Sequence, residues 1–363
     1  MVHPQSEPPR RPTAKAPTLR EVARRASVSP ITASRVLHNH PSVSPGIRRA
    51  VLDAVAELGY RPNAAARELR SPRSRSIGVL MPDLAYHSYW DGIRAIESHA
   101  ELSGYSVFLG DSARDSMREA AILERFLSRR VAGIVANLLD EPPAIFQTIL
   151  DEGIPIVLES GQPVLPHPNL LSVPVNSAPA IQSALALLRG YGHSDVALVT
   201  TAGSFVQRDR VQIATEYASA SGMSLSVYHL EPRTAEASDL SPELTRPDAP
   251  TAVFVLNYDL TALTLAAVAD AGLHPPESIS VIVSGDSYWL KAVRPPLSVV
   301  RGVGHARGIF VAQQLLNLIE GRPTAPVPTF DREFVNRGSV GPRPDRTMRR
   351  DAAPHISPIR RPA

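Results

Sequence analysis

The chain has 363 residues, 43% of them apolar and 20% charged, with no cysteine and a net charge of +3. That length suits two or three domains, and the composition excludes collagen, coiled coils and wholly disordered chains. Without cysteine there is no disulfide, no thiolate metal site and no cysteine nucleophile.

No stretch approaches the roughly 18 uninterrupted apolar residues of a membrane span, and the Pro/Arg-rich start has no apolar stretch of signal-peptide type, which predicts a cytoplasmic protein with no membrane partner. The small net charge hides a polarised chain. Residues 1–76 hold 14 Arg/Lys against 5 Asp/Glu, residues 77–342 hold 18 against 28, and residues 343–363 hold 6 against 2. A basic head on an acidic body points to a polyanion-binding module, with nucleic acid as first candidate, joined to something that need not touch the polyanion.

Residues 1–17 and 343–363 carry no periodic apolar pattern and read as basic, disordered tails. From Thr18 a short helix is predicted, with Leu19, Val22, Ala23 and Ala26 on one face. Ser29 then looks like an N-cap, and Pro30 at the first helical position opens a second helix to about residue 38. Only Ser27, Val28 and Ser29 separate the two, the spacing of a helix-turn-helix. A third helix is expected from Ser44 and Pro45, by the same capping device, to Gly59. In the second helix Ala33, Val36 and Leu37 fall on one side, and Pro30, Ile31, Ser34, Arg35 and His38 on the other. Arg20, Arg24, Arg25, Arg48, Arg49 and Arg61 supply the rim of guanidinium groups that phosphate neutralisation requires. A small structural bundle with a solvated basic face is the competing reading.

Residues 60–76 (YRPNAAARELRSPRSRS) have too little apolar surface to fold alone, so they read either as a plain linker or as a segment that orders against DNA. After Arg75 short apolar strands alternate with amphipathic helices: 77–81, 105–109, 133–136 and 154–158, then 196–200, 224–228, 252–256 and 279–283, with helices near 178–190, 208–220 and 259–271. This predicts two doubly wound parallel-sheet halves with a ligand cleft between them.

The segments TLREVARRASVSPITASRVL (18–37), GYRPNAAARELRS (59–71), IGVLMPD (77–83), PESISVIVSGD (276–286) and RPPLSVVR (294–301), in that order, resemble the LacI/GalR family of bacterial transcription regulators over about residues 18–342. The resemblance implies a helix-turn-helix domain (18–61), a hinge helix and linker (62–76), and a periplasmic-binding-protein-like effector and dimerisation domain (77–342), with subdomains of about 77–173 plus 301–326 and 174–300 plus 327–342. By position, Pro30, Ile31 and Arg35 are the base readers. Ser29, Thr32 and Ser34 are assigned to phosphates, and Thr18, Arg48, Asn63 and Ala66 also to the DNA-binding set. Leu69 is the minor-groove wedge. Ser27 stands where the family has a glycine in the turn.

The effector side departs further. Asn257 keeps the family's strand-end asparagine, but Tyr258 stands for the aspartate after it; Gly285 and Asp286 stand for an aspartate pair, Ser160 beside Glu159 for a polar group after the fourth strand, and Asn176 for another aspartate. Arg210 matches the ligand-binding arginine. Tyr86, His87, Tyr89 and Trp90 replace the first cleft loop, so that Tyr86 and Trp90 can stack on an effector, or the aromatics can cap the core. The implied effector set is Tyr86, Trp90, Ser160, Arg210, Asn257 and Asp286; for Arg210 the competing role is a surface helix cation.

The chain is therefore expected to be a DNA-binding regulator, a repressor by resemblance, acting as a homodimer on a palindromic operator and controlled by a small polar effector such as a sugar or related metabolite. No cofactor or metal is expected. The alternative is a small-molecule binding protein of periplasmic type, against which the basic head argues. An enzyme finds no P-loop, no G-x-G-x-x-G after the first strand, no nucleophile elbow, and no metal-ligand spacing among the 11 histidines.

Overall fold

The structure is a computed structural model that describes residues 17–37, 40, 42–60, 74–85, 89–159, 161 and 164–345. The chain divides into a head before residue 73 and a body after it.

Three helices make up the described head: α1 (Leu19–Arg25), α2 (Pro30–Leu37) and α3 (Pro45–Leu58). Each start has a local cause. Thr18 and Glu21 form a reciprocal capping box on α1, and Ser29 Oγ accepts the Thr32 amide at 3.1 Å ahead of Pro30. Ser44 was expected to cap α3 in the same way, but its side chain makes no cap hydrogen bond, and Pro45 alone marks that start. Gly59, left-handed at φ 60°, ends α3. Val22, Ala23, Ala33, Val36, Val51 and Ala54 form the buried centre, one stripe from each helix.

The body holds two sheets. The first has the order β2-β1-β3-β4-β5, all parallel, from β1 (Ser76–Met81), β2 (Ser106–Asp111), β3 (Gly133–Ala136), β4 (Ile156–Leu158) and β5 (Leu170–Ser172). Alternate residues of its strands face opposite helix layers. Ile134, Ile156 and Leu158 pack under α5 (Ser116–Ser128) and α6 (Ala144–Asp151). Ile77, Val79, Val135 and Val157 pack under α4 (Trp90–Leu102) and α11 (Gly304–Ile319). A Cβ on Gly308 would lie 2.6 Å from the Gly92 carbonyl oxygen, so only glycine allows α11 this close to α4.

The second sheet has the order β13-β11-β10-β9-β7-β8. Its strands β7 (Asp195–Thr200), β8 (Ser224–His229), β9 (Ala252–Val255), β10 (Ser280–Ser284) and β11 (Ser298–Arg301) are parallel, and β13 (Glu333–Val335) runs antiparallel on the β11 edge. The helices α7 (Ala178–Gly190) and α8 (Phe205–Ser221) cover one face around Phe254. On the other face lie α9 (Ser241–Thr245) and α10 (Thr261–Asp270). A short parallel pair, β6 (Val175–Asn176) with β12 (Phe330–Asp331), accompanies the chain where it passes between the lobes. The sheet order is that of two doubly wound halves, with strand ends of both turned toward one cleft.

Candidate functional site

In the head, the helical period separates packing from presentation. Ala33 and Val36 are 0% and 2% exposed, whereas Ile31 is 68% exposed on the opposite side of α2. Pro30 and Arg35 share that outward side, and Ser34 and Thr32 are half-buried beside it. Several of the predicted contact residues also hold the head together. Thr18 Oγ1 donates to Glu21 at 2.9 Å, Ser29 Oγ and Thr32 Oγ1 lie 2.9 Å apart, and Arg48 donates to the His40 carbonyl at 2.8 Å. Arg25 pairs with Glu57 at 2.6 Å, while Arg20, Arg24 and Arg49 are exposed. Asn63, Ala66 and Leu69 lie outside the described residues, as do Arg61 and His38.

In the body, a cavity of about 510 Å³ opens between the two lobes, with Tyr89, Asn137 and Glu159 on one side, and Asn176, Gln207 and Arg210 on the other. Arg210 projects from α8, and its Nη1 donates to the Leu256 carbonyl at 3.0 Å. Asn257 follows that carbonyl but does not line the cavity. It is fully buried, its amide donating to Thr201 Oγ1 at 3.0 Å and accepting from the Asp259 amide, so it shapes the turn after β9. Asp286 is also away from the cavity, paired with Arg337 at 2.6 Å. Trp90 opens α4 beside Tyr89, and of the two it is Tyr89 that faces the cavity. Tyr86, His87 and Ser160 lie outside the described residues. Of the predicted effector residues that are described, the cavity thus gathers Arg210 alone.

The cavity also collects residues that sequence reasoning missed. Arg307 reaches from α11 to Glu159 at 2.8 Å, both buried. Arg332, 7% exposed, donates to Ser284 Oγ and to the Val300 carbonyl, each at 2.8 Å. Arg114 sits on a turn where Ala113 and Arg114 have φ of 50° and 62°, a left-handed pair rare outside glycine. That turn aims its guanidinium across the cleft at Asp259 (3.4 Å), with Asp83 at 3.6 Å. Burial, and then the charge of Asp83, push the Asp259 carboxyl up to about 6, and Arg114 opposes them. A second bridge joins the lobes where Arg208 grips Asp140 with two hydrogen bonds of 2.7 and 3.1 Å, and the Phe205 amide donates to the Leu139 carbonyl. Nothing in local sequence flagged these cations, because their partners lie 32 to 148 residues away.

The strand-end replacements noted in the sequence turn out to be coupled by packing. Gly285 has φ 124°, and a Cβ there would lie 2.7 Å from Tyr258 Cδ2. The Tyr258 ring therefore occupies the space a side chain at 285 would need. Its hydroxyl donates to Ser287 and accepts from Trp289 Nε1 at 2.7 Å. Among the described residues no helix is long and apolar enough to cross a membrane, and no group of three side chains is placed to hold a metal.

Comparison with known proteins agrees with both parts. Residues 18–63 match the model for bacterial regulatory proteins of the lacI family, and residues 185–340 match the periplasmic binding protein-like domain. The HTH-type transcriptional regulator GntR of Pseudomonas aeruginosa is 30% identical over 320 residues, covering 85% of this chain and 91% of that protein. Catabolite control protein A of Priestia megaterium is 29% identical, over 78% of this chain and 86% of its own. Among solved structures, the lac repressor dimer bound to operator and the anti-inducer ONPF superposes with a TM-score of 0.79 at 24% identity, covering 90% of this chain and 100% of that one. The chain belongs to the lacI family of bacterial regulatory proteins, as a DNA-binding transcriptional regulator with an effector-binding domain.

Proposed function

We propose that the protein is a repressor that binds a palindromic operator as a homodimer, and that a small polar effector in the interlobe cavity changes the relative orientation of the lobes and so the grip on DNA. The observation that carries this reading is the outward face of α2. An isoleucine that is 68% exposed beside an exposed arginine has no packing role, yet it suits apolar contact with a thymine methyl next to bidentate reading of guanine by Arg35. In this reading residues 18–61 are the DNA-binding domain, 62–76 the hinge and linker with Asn63, Ala66 and Leu69 at the DNA, and 77–342 the effector and dimerisation domain. The dimer is favoured by β2, an edge strand that turns Phe108 and Leu109 outward, because an apolar sheet edge calls for cover. The protein then works in the cytoplasm, on the nucleoid when DNA is bound.

A gel shift of the full chain on the promoter of its own operon tests the reading. A discrete complex on that promoter, absent on random DNA, is expected, at a stoichiometry of two chains per site. A single chain on a half-site would remove the dimer, and no sequence preference would remove the regulator.

A further inference from the structure

The interlobe cavity is cationic, and we propose that its effector is an anion, a compact polar molecule bearing a carboxylate or a phosphate, in place of a neutral sugar. This rests on the cavity being the effector site and specifies the ligand for it. Four arginines line the cavity (Arg114, Arg210, Arg307 and Arg332) against two carboxylates, Glu159 and Asp209. Two of the four are held by acids: Arg307 by Glu159, and Arg114 between Asp83 and Asp259.

Arg210 is different. Its Nη1 meets a neutral carbonyl, and its Nε is buried with no hydrogen-bond acceptor. An unmet buried guanidinium N–H is costly, and an oxyanion laid against that edge would take two parallel hydrogen bonds from it. The bonds from Arg332 to Ser284 and Val300 also go to neutral oxygens, so they fix its guanidinium without cancelling its charge.

Hydroxyl groups of a neutral sugar must donate as well as accept, and arginine only donates. Acceptors that the strand ends of the second lobe could offer are engaged elsewhere: Asn257 on the Asp259 amide, Tyr258 on Trp289, Asp286 on Arg337. The surplus of donors therefore matches a ligand rich in acceptors and negative charge.

Calorimetry on the full chain with glucose, glucuronate and glucose 6-phosphate, at constant ionic strength, tests this on three ligands that differ at one carbon. At least one of the two anions should bind, glucose should not, and the preferred anion separates carboxylate from phosphate recognition. Arg210→Gln should weaken that anion about tenfold or more. Arg210→Lys, which keeps the charge without the fork, should fall between, and it carries the test if the glutamine variant does not fold. Binding of glucose alone, binding of none of the three, or anion affinity unchanged in both variants overturns the proposal. Failure of the underlying reading looks different, because the ligand-free chain would then not shift its promoter at all.

Discussion

The head and the body differ in how their presented residues relate to the residues that fold them. In the head one helical period does both jobs: Ala33 and Val36 point inward from α2, and Ile31 and Arg35 outward. In the body the cavity is assembled from strand ends and crossover segments, and its key contacts join residues far apart in sequence, such as Arg210 with Leu256 and Arg332 with Val300. A surface written by periodicity can change its outward letters without touching the fold, whereas a surface built from tertiary contacts cannot.

The largest expected effect separates the two regions by charge. Because the body is net acidic and the first 76 residues hold 14 cations against 5 acids, DNA affinity should come from the head and fall by ~10³ or more between low and physiological salt if six or more phosphates are contacted. Fluorescence anisotropy over a salt series reads the slope. Arg35→Ala should lower discrimination between operator and random DNA by about 1–3 kcal/mol, and Arg49→Ala should weaken both alike and reduce the slope by about one. Equal losses on both DNAs for the two variants would take the reading role from Arg35.

Packing offers the next break. Phe254 is fully buried at the centre of the second sheet, so Phe254→Ala should cost the body about 3–5 kcal/mol. Both tryptophans, Trp90 and Trp289, belong to the body, so urea unfolding followed by their fluorescence reports that loss alone. A fall in Val22 and Val51 amide protection of the same size would show that the two regions do not unfold independently.

A smaller effect concerns pH. Glu119, buried on α5, accepts the Leu139 amide at 3.0 Å next to the interlobe contact of Leu139 with Phe205. Burial pushes its carboxyl from the ordinary 4.5 up to about 7, against the Leu139 hydrogen bond, and the charge of Asp140 adds to the rise. The folded state therefore binds the extra proton in that window, and the contribution of this group to stability is present below it and lost as pH rises through about 7. Glu119→Gln, which can still accept from Leu139, should make the body more stable than wild type above pH 7 and no more stable at acidic pH. Parallel stability curves across this range would show that Glu119 ionises freely.

The fold was legible to the extent that it is periodic. The strands expected at 77–81, 133–136 and 252–256, and the helices at 178–190 and 259–271, sit within a residue or two of β1, β3, β9, α7 and α10. The short strands β5, β6, β12 and β13 went unnoticed, since two or three residues give no period to count. The same reason hid the cavity. Arg307 and Arg332 look like any surface cation until α11 and β12 return them to the cleft, whereas Asn257 and Asp286 carry the right chemical groups but use them on Thr201, Asp259 and Arg337. Residue type can be read along a chain; the partner that claims each polar group cannot.

Ser27 gives the smallest effect and the sharpest test of the head's independence. It occupies the turn between α1 and α2 with φ 52°, where its amide donates to the Arg24 carbonyl and the Val28 amide to that of Ala23. A left-handed residue with a Cβ costs roughly 1–2 kcal/mol, and glycine escapes that strain while adding about 0.5–1 kcal/mol of unfolded-state entropy. The difference favours Ser27→Gly by about 0.5–1 kcal/mol. Hydrogen exchange at Val22 and Val51 should slow accordingly, with no change in tryptophan-detected unfolding of the body. Ser27→Val, which stiffens the side chain at the same positive φ, should shift exchange the opposite way. If glycine brings no gain, the turn is held by its flanking hydrogen bonds firmly enough that the strain lies elsewhere in the head.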